Sequence, residues 1–508
     1  MTTLPLEEEG RSTRNLDPCV LVIFGATGDL TGRKLAPAIY NLGKDGMLPA
    51  NFACVGFARR PKTHQDFREE LKTDINEYSR TKPIDAPFWQ SFEQQLFYHQ
   101  SEFDSDEGYE KLRAFLAQLD ARYATRGNRI YYLSVQPKFF PIIIEKLAKH
   151  GLIYNPQEPA KPWSRVIIEK PFGHDSASAA ELQKNIAKHL AESQIYRIDH
   201  YLGKETVQNI LVFRFANSIF ESLWNYKHVD HVQITVAEDI GIGTRGHFFE
   251  EEGLLRDVVQ NHLMQLLTLV AMEPPVSLSA NAIRDEKVKV LEAIRPFTPD
   301  KPFVRGQYGP GFVNGVKVAG YREEKDVNPQ STVETFVAAR VLIENWRWAG
   351  VPFYLRAGKR LPKKGTEIAV IFKDAPGVLF NTQGRKNDPN VLAIRIQPDE
   401  GIAMKINCKV PGPSSPIQPV KMDFRYGSYF GQSPPEAYER LIWDCMLGDS
   451  TLFARVDEVE QSWNIFTPIL NIWAATPVKN FPNYAAGSWG PQEADEMIAK
   501  DGRSWRIL

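Results

Sequence analysis

The run CVLVIF at Cys19–Phe24 is apolar without interruption, carries three β-branched residues and stops at Gly25. A strand that is apolar at every position cannot turn one face to water, so it must be covered on both sides, as strands of a parallel sheet are. The following residues, Gly25-Ala-Thr-Gly28-Asp29-Leu30, lead directly into a stretch of helical character over Leu30–Leu42, and FACVGF at Phe52–Phe57 forms a second strand-like run. Two such strands joined through a helix make a parallel crossover unit. The alternation continues with strands at Arg129–Val135 (RIYYLSV) and Arg165–Ile168 (RVII), and with helices over Tyr109–Tyr123 and Pro141–His150. The expectation is a mostly parallel, doubly wound α/β sheet of the Rossmann type.

Beyond about residue 200 the texture changes. Strand-like stretches at His231–Val236, Glu367–Phe372 and Val391–Ile396 are separated by long irregular segments, and one long helical pattern runs over Leu254–Met272. This reads as an α+β domain. The expected division is a polar tail over 1–17, a Rossmann-like dinucleotide-binding domain over 18–200 and a larger α+β domain over 201–508.

Charge narrows the function classes. With 61 Lys and Arg against 62 Asp and Glu, the formal charge is −1, which leaves no global basic excess for a nucleic-acid binder. The hydrophobic share of 43% and charged share of 24% are those of an ordinary globular chain. Cys19, Cys54, Cys408 and Cys445 are scattered without CxxC spacing, so neither a disulfide framework nor a zinc site is expected, and a reducing compartment fits. The N-terminal MTTLPLEEEGRSTRNLD has no apolar core of a signal peptide, and no segment approaches the roughly 18–20 apolar residues that span a bilayer. A soluble cytoplasmic protein with no membrane partner is the expectation.

Several segments carry candidate chemistry. Glycine at Gly25 and Gly28 lets the backbone turn sharply and bring N–H groups to a pyrophosphate at a helix N-terminus, with Thr27, Asp29 and Leu30 in the same turn. The pattern is GxxGxL and not GxGxxG, so a plain glycine turn is the alternative. The second strand ends in Ala58-Arg59-Arg60, where an NAD-binding unit would place an acidic residue; two arginines suit a 2′-phosphate, or else form a solvated surface. Asp45 sits in a GKDG turn ahead of that strand and is discounted. After RVII comes EKPFG, which puts Lys170 at a strand's carboxyl end, where open α/β sheets bind ligands; a trans Pro171 is the commoner state. In RIDHYLGKE, His200, Tyr201 and Lys204 form a donor cluster able to surround a phosphate monoester, or a charged helix start. His262 lies in an apolar helix five residues after Asp257, a setting in which histidine is more often a packed core residue than a catalyst.

Together, GATGDL, EKPFG, RIDHYLGKE, RDVVQNHLMQ, VPFYLRAGKRL and AYERLIWD, in this order from about residue 18 to the end, resemble glucose-6-phosphate dehydrogenase. The resemblance implies a second domain with a mostly antiparallel sheet that serves substrate binding and oligomerisation. It implies oxidation of glucose 6-phosphate to the 6-phosphogluconolactone with hydride transfer to NADP+, at the start of the pentose phosphate route. His262 would be the general base and Asp199 would orient it and stabilise its imidazolium. His200, Tyr201, Lys204 and Lys364 would hold the sugar phosphate, while Glu238, Asp257 and Lys359 would bind its hydroxyls and ring. Arg59 would meet the 2′-phosphate of NADP, Thr27 would neighbour it in the loop, and Lys170 would touch both cofactor and sugar. Arg60 favours NADP and leaves dual use with NAD open. No metal, no nucleic acid and no second structural nucleotide site are expected, and the family points to a homodimer or homotetramer. The alternatives are a dehydrogenase of another sugar phosphate and a non-catalytic nucleotide sensor.

Overall fold

A computed structural model describes residues 16–158, 162–298, 303–376, 388–412, 417–431, 435–476, 478 and 480–508. The chain divides into two compact units: Met1–Gly173 with Ala180–Gly203 and Pro435–Val456, and His174–Ala179 with Lys204–Pro434 and Asp457–Leu508.

The first unit is built on strands β1 (Cys19–Phe24), β2 (Phe52–Ala58), β3 (Leu96–Gln100), β4 (Arg129–Leu133), β5 (Ser164–Ile168) and β6 (Ile195–Ile198). These lie in the order β6-β5-β4-β1-β2-β3, all parallel. All six residues of β1 are buried because alternate side chains enter two separate cores. Cys19, Leu21 and Ile23 face one core; Val20, Val22 and Phe24 face the other. That two-sided burial is the physical reason for the uninterrupted apolar run. One core is roofed by Leu35–Leu42 with Phe67, Leu71 and Ile75, the other by Tyr109, Leu112 and Leu116 with Ile143, Ile144 and Leu147. The helix that carries Tyr109 starts at Asp106, where the Ser105 hydroxyl accepts from the Gly108 N–H. The expected strand Arg129–Val135 ends at Leu133, and two strands were not foreseen: β3, a short strand whose last two residues emerge from the core, and β6.

The first unit is completed from far along the chain. The helix Ala437–Leu447 and a two-residue strand, Phe453–Ala454, return to it, the latter pairing antiparallel with β6. Tyr438, Leu441, Ile442, Cys445, Met446 and Phe453 join the core that holds Leu21. Arg165 Nη1 donates to the carbonyls of Cys445 (2.6 Å) and Met446 (2.8 Å), so the end of this helix is also tied by hydrogen bonds. The sequence reading placed one boundary at about residue 200; the described residues place this return with the first unit and His174–Ala179 with the second. Local pattern identifies a helix but not the sheet that it covers.

In the second unit β7 (Val229–Ala237) and β8 (Phe303–Gly306) are followed by the short β9 (Tyr308–Gly309), β10 (Gly311–Val313) and β11 (Val316–Val318), then β12 (Phe336–Leu342), β13 (Pro352–Gly358), β14 (Gly365–Phe372), β15 (Val391–Gln397), β16 (Gly401–Lys409) and β17 (Ile417–Arg425). Eight of them form one sheet in the order β17-β16-β15-β14-β7-β13-β12-β8. Every neighbouring pair is antiparallel except β7 and β13, which run parallel. The helical pattern at Leu254–Met272 is realised as wide, π-type turns over Leu255–Leu263 followed by an α-helix over Met264–Ala271, and each residue of the latter is buried. Lys287 and Glu458, both almost fully buried, pair at 2.6 Å in this unit. Among the described residues no helix is long and apolar enough to cross a membrane.

The returning helix yields a test. Leu441 is 0% exposed in the first unit's core. Leu441→Ala is expected to cost about 2–5 kcal/mol in a denaturant titration, the range of large-to-small core replacements. Ile507→Ala, at a side chain 75% exposed, should stay within about 0.5 kcal/mol.

Candidate active site

The strand order of the first unit reverses between β1 and β4, which creates a switch point where parallel sheets leave a crevice at their carboxyl ends. Gly25 follows β1 there with φ +81°, and a Cβ on it would lie 2.1 Å from the Ser134 carbonyl oxygen just beyond β4. Only glycine fits, because both the left-handed backbone and the neighbouring strand exclude a side chain. The turn is closed by the Gly28 N–H donating to the Gly25 carbonyl at 2.9 Å, and the chain becomes helical at Asp29. Gly28 and Asp29 are exposed, Thr27 and Leu30 partly so. Asp29 pairs with Arg33 at 2.7 Å, one turn along. A bare turn at a helix start, open to solvent, fits a dinucleotide's pyrophosphate.

Arg59 and Arg60 leave the end of β2, the strand next to β1, and both are exposed. The Arg60 guanidinium reaches the Thr27 carbonyl at 3.5 Å, so the arginine pair and the glycine turn share one rim. Asp45 instead ends the helix Ala36–Lys44 and pairs with Arg80 at 2.6 Å.

The ends of β5 and β6 carry the next group. Lys170 follows β5 and is partly buried, and its bond to Pro171 is cis, where trans was the commoner expectation. Asp199 is 3% exposed after β6, and its Oδ1 accepts from the Tyr201 N–H at 3.0 Å while its carbonyl accepts from the Leu202 N–H. His200 is partly buried, with the Tyr201 ring 5.2 Å away.

In the second unit, the single parallel pair sets the geometry. Because β7 and β13 run the same way, their carboxyl ends lie side by side, and Glu238 and Lys359 emerge next to each other. Their side chains form an ion pair, with Lys359 only 5% exposed and its ammonium 5.2 Å from the Phe249 ring centroid. Lys204 Nζ donates to Gln397 Oε1 at 2.9 Å, and Gln397 Nε2 donates to the Thr366 hydroxyl at 3.2 Å. Lys364 is exposed in the turn between β13 and β14.

His262 and Asp257 are both buried on the wide-turned helix, at 3% and 8% exposure. Asp257 lies 3.9 Å from Arg245. The Asn261 side chain donates to the Arg256 carbonyl at 3.0 Å, across the widened turns. The start of this helix is fixed by Glu334, whose carboxylate accepts from the Leu255 N–H at 2.9 Å while its carbonyl accepts from the Leu254 N–H at 3.1 Å. Gly253 precedes it at φ +65°, with no room for a Cβ against that carboxylate, 2.5 Å away. Burial pushes the Glu334 carboxyl above its ordinary pKa, against the pull of the Leu255 N–H.

Sequence reasoning did not single out Glu334 or Gln397. Each acts through a partner distant in the chain, so no local motif marks it.

The ion pair on the parallel strands offers a test of this geometry. Glu238→Gln leaves a buried ammonium without its countercharge and is expected to cost about 1–3 kcal/mol of stability in urea. Lys359→Met/Glu238→Gln, which removes both charges, should recover part of that loss.

Comparison with known proteins places these features in a family. A model described as "Glucose-6-phosphate dehydrogenase, NAD binding domain" matches residues 22–209, and "Glucose-6-phosphate dehydrogenase, C-terminal domain" matches 211–506. The chain is 57% identical to glucose-6-phosphate 1-dehydrogenase of Chlamydia pneumoniae, with 100% of each covered. It is 46% identical to the Bacillus subtilis enzyme of that name, over 97% of this chain and 99% of the relative. A solved glucose-6-phosphate dehydrogenase in complex with its substrate superposes with TM-score 0.88 at 38% identity, over 97% of this chain and 99% of that one. Its counterpart from Mycobacterium avium gives 0.83 at 36%, over the same shares of the two chains. With both halves matched and relatives similar along their whole length, this chain belongs to the glucose-6-phosphate dehydrogenase family.

Proposed function

We propose that the chain oxidises glucose 6-phosphate at C1 to 6-phospho-D-glucono-1,5-lactone with NADP+, the first oxidative step of the pentose phosphate pathway. The observation that carries this reading is the retention, in one chain, of the bare glycine turn at the switch point and the unbroken RIDHYLGKE segment that leaves β6.

Gly25, Thr27, Gly28, Asp29 and Leu30 hold the pyrophosphate, and Arg59 takes the 2′-phosphate, with Arg60 beside it on the rim. NADP+, when bound, supplies the hydride acceptor. His200, Tyr201, Lys204 and Lys364 hold the substrate phosphate. Glu238, Asp257 and Lys359 take the sugar hydroxyls, and Lys170 meets both ligands. His262 accepts the proton of the C1 hydroxyl as the C1 hydride departs, and Asp199 is the carboxylate that stabilises the resulting imidazolium. Imidazole suits the task because its ordinary pKa lies near neutral pH. Positioning accounts for much of the rate, since two ligands must be held with their reacting carbons aligned. We also assign the enzyme to the cytoplasm, as a homodimer or homotetramer. Exposed Val420 and Met422 on β17, the outer strand of the large sheet, support self-association.

The direct test follows NADPH absorbance with glucose 6-phosphate, and with glucose and other hexose phosphates as controls. Turnover with glucose 6-phosphate is expected; its absence, or faster turnover of another sugar phosphate, would replace this reading with that of a related dehydrogenase. His262→Asn should lower kcat by about 10²-fold or more and leave KM nearly unchanged, the signature of a lost general base. Arg59→Ala should raise KM for NADP+ much more than for NAD+. Equal effects on both would remove Arg59 from the 2′-phosphate.

A further inference from the structure

The first unit holds a polar cluster that none of these roles uses. Glu169 follows β5, and its side chain lies on the same face as Ile167, which pairs in register with Tyr132 of β4. The Tyr132 hydroxyl donates to Glu169 Oε1 at 2.5 Å. The Tyr438 hydroxyl, arriving on the returning helix Ala437–Leu447, also hydrogen-bonds to the Glu169 carboxyl. Tyr132 is 0% and Tyr438 9% exposed, so neither phenol could turn to water for a substitute acceptor. An ionised carboxylate only accepts, and both hydroxyls can donate to it. Burial pushes the Glu169 carboxyl up to about 7, while the hydroxyls of Tyr132 and Tyr438 and the charge of Lys170 pull it down and Asp199 pushes it up. The Tyr438 ring lies nearly parallel to that of His200, at 9°, with centroids 6.3 Å apart. With the Tyr201 ring centroid at 5.2 Å, the imidazole of His200 neighbours two phenol rings, one of which is hydrogen-bonded to Glu169.

We propose that Glu169 is a positioning residue for substrate recognition: its carboxylate latches Tyr132 to Tyr438, and the latched Tyr438 ring fixes His200 in the orientation that receives the sugar phosphate. The proposal rests on the reading that His200 holds that phosphate. The latch joins β4, β5 and the C-terminal return at one carboxylate, so the His200 imidazole is set by a segment more than two hundred residues away in the chain.

Steady-state kinetics of the full-length enzyme separates this from a merely structural role. Tyr438→Phe keeps the ring in the core and removes only the hydroxyl. It should raise KM for glucose 6-phosphate by about 3- to 10-fold, the factor of one ordinary hydrogen bond, with kcat and KM for NADP+ within about twofold of the parent. Glu169→Gln removes the charge and turns one of the two accepting oxygens into an N–H donor, so both charge-assisted hydrogen bonds are lost, and it should shift the same constant in the same direction. Should Glu169→Gln fail to fold, Tyr438→Phe decides alone. Because the latch works through His200, Tyr438→Phe added to His200→Ala should raise KM no further than His200→Ala does by itself. A raised KM in His200→Ala beside an unchanged KM in Tyr438→Phe would overturn the latch and leave the reading of His200 standing. Independent, multiplying effects in the double variant, or equal losses in kcat and both KM values, would also overturn the latch. An unchanged KM in His200→Ala would overturn the phosphate assignment itself and the latch with it.

Discussion

The first unit depends on a close approach of backbones. At the junction of β1 and β4 the chain must turn away from the sheet while the carbonyl of Ser134 occupies the space a side chain would need, and Gly25 alone satisfies both conditions. The approach follows from the strand order, because β1 and β4 are neighbours without being consecutive. The crevice at their ends follows from the same reversal. The glycine turn is thus a consequence of how the sheet is wound, and burial of β1 on both faces holds that winding in place.

The second unit solves a different problem with one irregularity. An antiparallel sheet brings the carboxyl ends of neighbouring strands out at its opposite ends and so separates the residues that follow them. The parallel alignment of β7 and β13 breaks this habit once, and there Glu238 and Lys359 stand together. A lysine at 5% exposure is tolerable only with a carboxylate against it, so the pairing of strands and the pairing of charges support each other. The near-zero net charge of the chain gave no hint of such placement.

Much of the first unit was legible in sequence because its strands are apolar on both faces, a pattern that needs no knowledge of neighbours. CVLVIF and FACVGF announced themselves; LFYHQ at β3, an edge strand that turns polar within five residues, did not. The returning helix was readable as a family motif but not as part of the first core, since Leu441 and Cys445 look alike whichever sheet they cover. Candidate residues clustered in one segment, such as His200, Tyr201 and Lys204, were singled out by spacing and resemblance. Glu334 and Gln397 were not, because hydrogen bonds between distant strands and helices leave no periodic trace. The cis bond at Pro171 ran against the base rate and shows where a base rate stops being informative.

The return of Pro435–Val456 also bears on how the protein is made. A ribosome delivers the N-terminal strands first, but the core around Leu21, Tyr132 and Tyr196 lacks part of its cover until Tyr438, Leu441 and Phe453 have emerged. At about 5–20 residues per second, the interval between residue 203 and residue 456 lasts roughly ten to fifty seconds. For that time part of one apolar face of the sheet, beside the cover that Leu35–Leu42 and Phe67 already give, is open in a growing chain. The first unit therefore reaches its full cover only after most of the second has been synthesised.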